Sequence, residues 1–263
     1  MNRLITLFFC LISSLISSQK IDLNSESSQL LKKGVEYYKI LKVNELTLKH
    51  VNKETDFVFS YINDNQIISI VFSKNQKSDK ILTSIIYSDS LTVTQKQDYA
   101  RNASEKEKLF IKIYHNIYSS SKYFSLPNEF WVIIERKNNL FYAYMTPRQN
   151  NTEKIILGYD FLFTYKLNGK FKDFKYLHNN PILLSLNNPV DSNVSLHTHS
   201  NRNSDFISVL DIAVILISKD RLEWNKHFVV SKKFVSIFDV KNTTLSIEFR
   251  KEYEQRTGKK LKI

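Results

Sequence analysis

Cysteine is all but missing from this sequence. The single thiol, Cys10, lies inside an N-terminal apolar run, so the chain beyond it has no disulfide framework and a folded domain must be held by its core. Glycine and proline are scarce, four of each. Together with abundant Asn and Lys this reads as compositional bias, and it carries no functional signal. No apolar run reaches the roughly 20 residues that a spanning helix needs. Internal repeats and low-complexity linkers are absent as well.

What is present suits a packed globule: 42% hydrophobic and 13% aromatic residues exclude a disordered chain. The segment "MNRLITLFFCLISSLISSQK" places Arg3 before an apolar stretch from Leu4 to Ile16, followed by small polar residues. That pattern predicts a secretory signal peptide over residues 1–18, cleaved near Ser18, and an exported protein, periplasmic or secreted. Cys10 lies within the apolar core rather than after it, which argues against lipid attachment. The remaining length, about 245 residues, is enough for one large domain or two small ones. Thirty-eight Lys and Arg stand against 26 Asp and Glu, a net charge of +12. The lysines are dispersed, as in "SKNQKSDK" and "NGKFKDFK", and the one dense run is the tail "RTGKKLKI". Dispersed charge predicts a solvated surface and no specific nucleic-acid partner.

Periodicity orders the rest. Leu30, Leu31, Val35, Tyr38 and Leu41 recur at helical spacing behind a serine-rich start, predicting a helix over residues 25–41. Three β-type runs, "DFVFSYIN", "QIISIVFS" and "KILTSIIYSD", follow as an antiparallel meander, with a hairpin at Asp64-Asn65. Ser104-x-x-Glu107 forms a capping-box signature ahead of a second helix carrying Leu109, Ile113 and Ile117. Further strands are expected in "EFWVIIER", "LFYAYMTP", "KIILGYDFLFTYKL" and "KFKDFKYLH", the last two joined across Asn168-Gly169. "NVSLHTHS" reads as a strand, residues 208–218 as a helix apolar nearly all round, and "HFVVSKK", "FVSIFDV" and "TLSIEFR" as closing strands. The expected fold class is α+β.

The chemistry concentrates in "SLHTHSNRNSDFISVLD", where His197-Thr198-His199 precedes Ser208-Val209-Leu210-Asp211. A strand puts His197 and His199 on one face, and a helix puts Ser208 and Asp211 on one face. Two imidazoles and one carboxylate leave a fourth position open on a tetrahedral zinc ion, the composition of a catalytic site. Taken alone, Ser208-x-x-Asp211 is equally a helix-capping signature. His115, His178 and His227 read as ordinary packed or surface residues, and Phe130 and Trp131 as core.

An H-x-H followed by Asp resembles the opening motif of the PHP phosphoesterases. That motif opens a (β/α) barrel with ligands spread over the following two hundred or so residues, whereas 64 residues follow His199 here. The stretch more closely resembles the JAMM (MPN-domain) metalloproteases, through the pattern Glu…His-x-His-x7-Ser-x-x-Asp. Eight residues, rather than seven, separate His199 from Ser208, and Ser200 stands where the family usually has proline. One extra loop residue costs little closure entropy.

The resemblance implies a JAMM-like mixed β-sheet sandwiched by helices over residues 101–250. Residues 19–100, an N-terminal helix and antiparallel β meander, have no counterpart in it, and residues 251–263 form a basic tail. It further implies Zn2+ held by His197, His199 and Asp211, with Glu129 as proton shuttle and Ser208 as oxyanion donor; Glu135 and Glu153 are the alternatives to Glu129. The implied activity is hydrolysis of a peptide or isopeptide bond in a peptide or protein substrate. A JAMM-like binding or scaffold protein without catalysis is the alternative.

Overall fold

The structure is a computed structural model that describes residues 21–51, 56–75, 79–121, 129–150, 153–178, 180–186, 193–199 and 205–261. The expected signal peptide lies outside the described residues. The fold is α+β, and it opens as expected on a helix followed by an antiparallel meander.

Helix α1 (Leu23–Thr47) is capped by Asp22, whose carboxylate accepts from the Asn24 and Ser25 amides. It runs past the expected end at Leu41 because its later polar residues are buried with partners. Asn44 accepts from Ser60 at 2.6 Å, and Thr47 meets the Tyr87 hydroxyl at 3.2 Å. Apolar spacing cannot report a buried polar stripe of that kind. Strands β1 (Asp56–Asn63), β2 (Gln66–Ser73) and β3 (Lys80–Tyr87) pair antiparallel, with Asp64 left-handed in the first turn. Strands β4 (Val93–Gln97) and β5 (Arg101–Asn102) extend β3.

Helix α2 (Glu105–Ser121) starts at the expected capping box: the Ser104 amide donates to Glu107 at 2.8 Å and the Glu107 amide to Ser104 Oγ at 3.3 Å. Strands β6 (Phe130–Lys137), β7 (Leu140–Pro147), β9 (Phe161–Lys166) and β10 (Phe171–Tyr176) make a second antiparallel sheet. One face carries Val132, Ile134, Phe141 and Met145 into a core shared with α2 and the meander. The other face presents Trp131 and Ile133 to a different cluster.

The run "KIILGYDFLFTYKL" is not one strand. Gly158, at φ +68°, ends β8 (Lys154–Leu157) and lets the chain turn before β9. Strand β8 pairs instead with β11 (Ile182–Ser185), a short segment without a strand signal strong enough to predict it.

Strand β12 (Val194–Thr198) leads through helix α3 (Val209–Ser218) to β13 (Lys226–Val230), which pairs with β12 in parallel. Strands β14 (Phe234–Asp239) and β15 (Thr244–Phe249) complete a mixed sheet of order β12-β13-β14-β15. Helix α3 is buried from Leu210 to Ser218. Val229, Phe238 and Val240 meet it on the sheet side, while Tyr37, Ile40 and Leu41 of α1 join Leu210, Ala213 and Ile217 on another. The basic tail is helical in its first part: α4 (Arg250–Thr257) ends at Gly258 with φ +68° and buries none of its side chains. Among the described residues no helix is long and apolar enough to cross a membrane.

Helix α1 crosses α3 at Gly34, where a Cβ would lie 2.5 Å from Ile212 Cγ2. Alanine in an open helix position would gain up to about 1 kcal/mol over glycine. Here the stem of a fully buried, β-branched Ile212 blocks it. Gly34→Ala is expected to destabilise by about 1–3 kcal/mol through overpacking. Thermal unfolding checks this, and Gly34→Ala combined with Ile212→Ala should recover stability relative to Ile212→Ala alone by more than additivity allows.

A candidate metal centre at the mouth of the β12–α3 crossover

Period-2 alternation along β12 puts Ser195, His197 and, just past its end, His199 on one face. The parallel register sets Ser195 beside His227 and His197 beside Val229 of β13, so this is the face covered by α3. The opposite face carries Val194 and Leu196, both exposed. Ser208 is the N-cap of α3: its Oγ accepts from the Asp211 amide at 3.0 Å, and Asp211 Oδ2 accepts from the Ser208 amide at 3.1 Å. The capping box therefore exists in full, and it uses only one oxygen of the Asp211 carboxylate. Capping and metal binding are compatible at this residue.

The imidazoles form a chain. His199 Nε2 lies 3.0 Å from His197 Nε2, His197 Nδ1 lies 2.8 Å from His227 Nε2, and His227 Nδ1 lies 2.6 Å from Ser195 Oγ. Burial holds both His197 and His227 well below the ordinary imidazole range, which keeps them neutral, the state that binds metal. Burial alone would raise Asp211, yet the neighbouring imidazoles of His197, His178 and His199 outweigh it and hold the carboxyl low. Asp211 is a buried anion, 2% exposed, facing a histidine cluster.

One donor comes from an unexpected place. A ligand atom from each of His178, His199 and Asp211 lies within 4.8 Å of the other two. His178 follows β10 and Asp160 precedes β9, and the antiparallel pairing of these strands brings them together, with the Leu177 amide donating to the Asp160 carbonyl at 2.9 Å. Asp160 Oδ2 stands 3.4 Å from His178 Nδ1. Burial raises the Asp160 carboxyl. Burial opposes charge on His178, but Asp160 and Asp211 outweigh it and raise that imidazole. Reading the histidines as packed residues missed this group. The hairpin turn at Asn168-Gly169 was the available signal, because its register sets residue 160 opposite residue 177.

The structure thus brings His199 close to Asp211 and His178, joins Ser208 to Asp211 through the cap, and sets His197 beside His199 but outside the group that His178, His199 and Asp211 form. Glu129 sits elsewhere in its contacts: it pairs with Arg148 at 2.6 Å and accepts from Asn150. Alternation still puts Glu129 on the face of β6 that carries Trp131 and Ile133, which meet α3. Glu135 lies further along that face and serves structure. It binds Lys33 of α1 at 2.7 Å and accepts from Tyr144 at 3.2 Å. Glu153 stands just before β8, an exposed residue whose carbonyl accepts from the Leu186 amide. His115 belongs to the aromatic cluster of Phe57 and Phe72, away from the centre.

No family model matches the chain, and neither a curated protein nor a solved structure matches it.

Proposed function

We propose that this protein is an exported zinc hydrolase of the JAMM type, cleaving a peptide or isopeptide bond. The observation that carries the reading is the 3.0 Å approach of His197 Nε2 to His199 Nε2 beside the buried carboxylate of Asp211. Two nitrogens on one tetrahedral zinc sit about 3.4 Å apart, given Zn–N bonds of about 2.0–2.1 Å. The pair is within a few tenths of an ångström of that spacing. His197, held neutral by burial, and a carboxylate held as the anion are in the donor states that zinc requires. The order of elements also agrees: an H-x-H ending a strand, then Ser-x-x-Asp capping a helix behind it.

Zinc held there would supply Lewis acidity, activating water and polarising a substrate carbonyl. The protein's own residues divide the remaining work. Glu129 takes up the water's proton and returns it to the leaving amine. Its carboxylate must swing from Arg148 to do so. Ser208 Oγ already accepts from the Asp211 amide, so its O–H is the group left to donate to a developing oxyanion.

The engagement of Glu129 with Arg148 and Asn150 favours a second reading, a zinc-binding scaffold without catalysis. Glu129→Gln separates the two. In the hydrolase it retains zinc and lowers turnover of a peptide or isopeptide library by about 10²–10⁴-fold, while Glu135→Gln keeps turnover near wild type. Wild type that binds zinc and cleaves nothing makes the scaffold the right description.

A further inference from the structure

Asp160 is a carboxylate with 2% exposure at the rim of the histidine cluster. His178 Nδ1 lies 3.4 Å from its Oδ2, within ion-pair distance but without hydrogen-bond geometry. That contact fixes which nitrogen of His178 is turned away from Asp160. With Nδ1 beside the carboxylate, Nε2 is the nitrogen left to an ion; one ring nitrogen of His178 lies within 4.8 Å of the ligand atoms of His199 and Asp211, and the His178 and His199 rings lie 5.6 Å apart between centroids. Metal-binding histidines commonly present their second nitrogen to a carboxylate or other acceptor, which fixes tautomer and ring orientation. His197 is backed in the same way by His227 and Ser195. Two imidazoles of the cluster therefore each carry a buried support on the far side from the centre.

We propose that His178 is a further ligand of the zinc ion, aimed by Asp160, so that the β9–β10 hairpin contributes a donor beside those of β12 and α3. This rests on the zinc reading above and extends it beyond the H-x-H…Asp set. Asp160 acts as a positioning residue and does not itself touch the ion. His178 would then hold the ion together with His199 and Asp211, the residues whose ligand atoms lie within 4.8 Å of one another, with His197 Nε2 3.0 Å from His199 Nε2.

The test uses the full chain, with zinc affinity from competition against a chromophoric chelator and visible spectra of the cobalt-substituted protein. His178→Ala is expected to weaken zinc binding by about 100-fold or more and to alter the cobalt bands, because a ligand is lost. Asp160→Asn is expected to weaken it by about 10–100-fold with the cobalt bands kept, the behaviour of an outer-shell support. His50→Ala, a histidine outside the cluster, should match wild type. Thermal unfolding of the metal-free forms checks folding, and His178→Gln stands in if either variant is unstable. Wild-type affinity and unchanged cobalt bands in both His178 variants would overturn the proposal while leaving the zinc site in place. Wild type that takes up neither zinc nor cobalt would overturn the hydrolase reading and this one together.

Discussion

Asp211→Asn should lose zinc binding while the apo protein remains folded. The carboxylate faces His178, His197 and His199, and it does two jobs with two oxygens. Oδ2 caps α3 through the Ser208 amide, and the other oxygen is available to the ion. Asparagine keeps the shape and one acceptor, so most of the cap survives. The charge that zinc requires does not. Affinity is expected to fall by more than the roughly 10–100-fold that loss of an outer-shell partner costs, whereas apo stability should fall by about 1 kcal/mol. Ser208→Ala is the counterpart: it removes the cap for about 0.5–2 kcal/mol and leaves zinc bound. Chelator competition and denaturant unfolding read the two quantities separately. If Asp211→Asn and Ser208→Ala lose the same stability and neither changes zinc binding, Asp211 is a cap and nothing more.

The second large effect lies away from the centre, at Glu107. Its carboxylate takes a bidentate pair from Arg101 at 2.6 and 2.8 Å, both donors of Ser104 at 2.8 Å, and the Tyr61 hydroxyl at 3.2 Å. Burial pushes this carboxyl up, but the Arg101 and Ser104 hydrogen bonds dominate and bring it from about 4.5 down to about 2. A depressed carboxylate stabilises the fold above its unfolded value near 4.5 and loses that contribution as pH falls towards 2. The shift corresponds to about 3 kcal/mol. Glu107→Gln is therefore expected to cost about 3 kcal/mol at neutral pH, with the gap to wild type shrinking between pH 4.5 and pH 2. A gap that stays constant across that window would mean the pair contributes through packing alone.

The contrast between these sites shows what the sequence made legible. Ser104-x-x-Glu107 and Ser208-x-x-Asp211 are local patterns, and both capping boxes form where the spacing puts them. The strands of the meander and the β12–α3–β13 unit were readable for the same reason, since alternation and helical period are written within each segment. The boundary at Gly158 was harder. An apolar run reads the same on either side of a left-handed glycine, so β8 and β9 merged and the β8–β11 pair stayed hidden. His178 and Asp160 were missed because their meeting depends on register across a hairpin, not on spacing along one element. For Glu129 the strand position is legible, while its bond to Arg148 depends on how β7 ends beyond Pro147.

Zinc content tests the central claim most directly. Metal-replete wild-type protein, freed of unbound ions and examined by elemental analysis, should carry about one zinc per chain, and His199→Ala, which removes the imidazole that meets both His197 and the His178–Asp211 pair, should carry none. Equal trace zinc in wild type and His199→Ala would contradict it, leaving the buried imidazole chain and the Asp211 cap as features of packing.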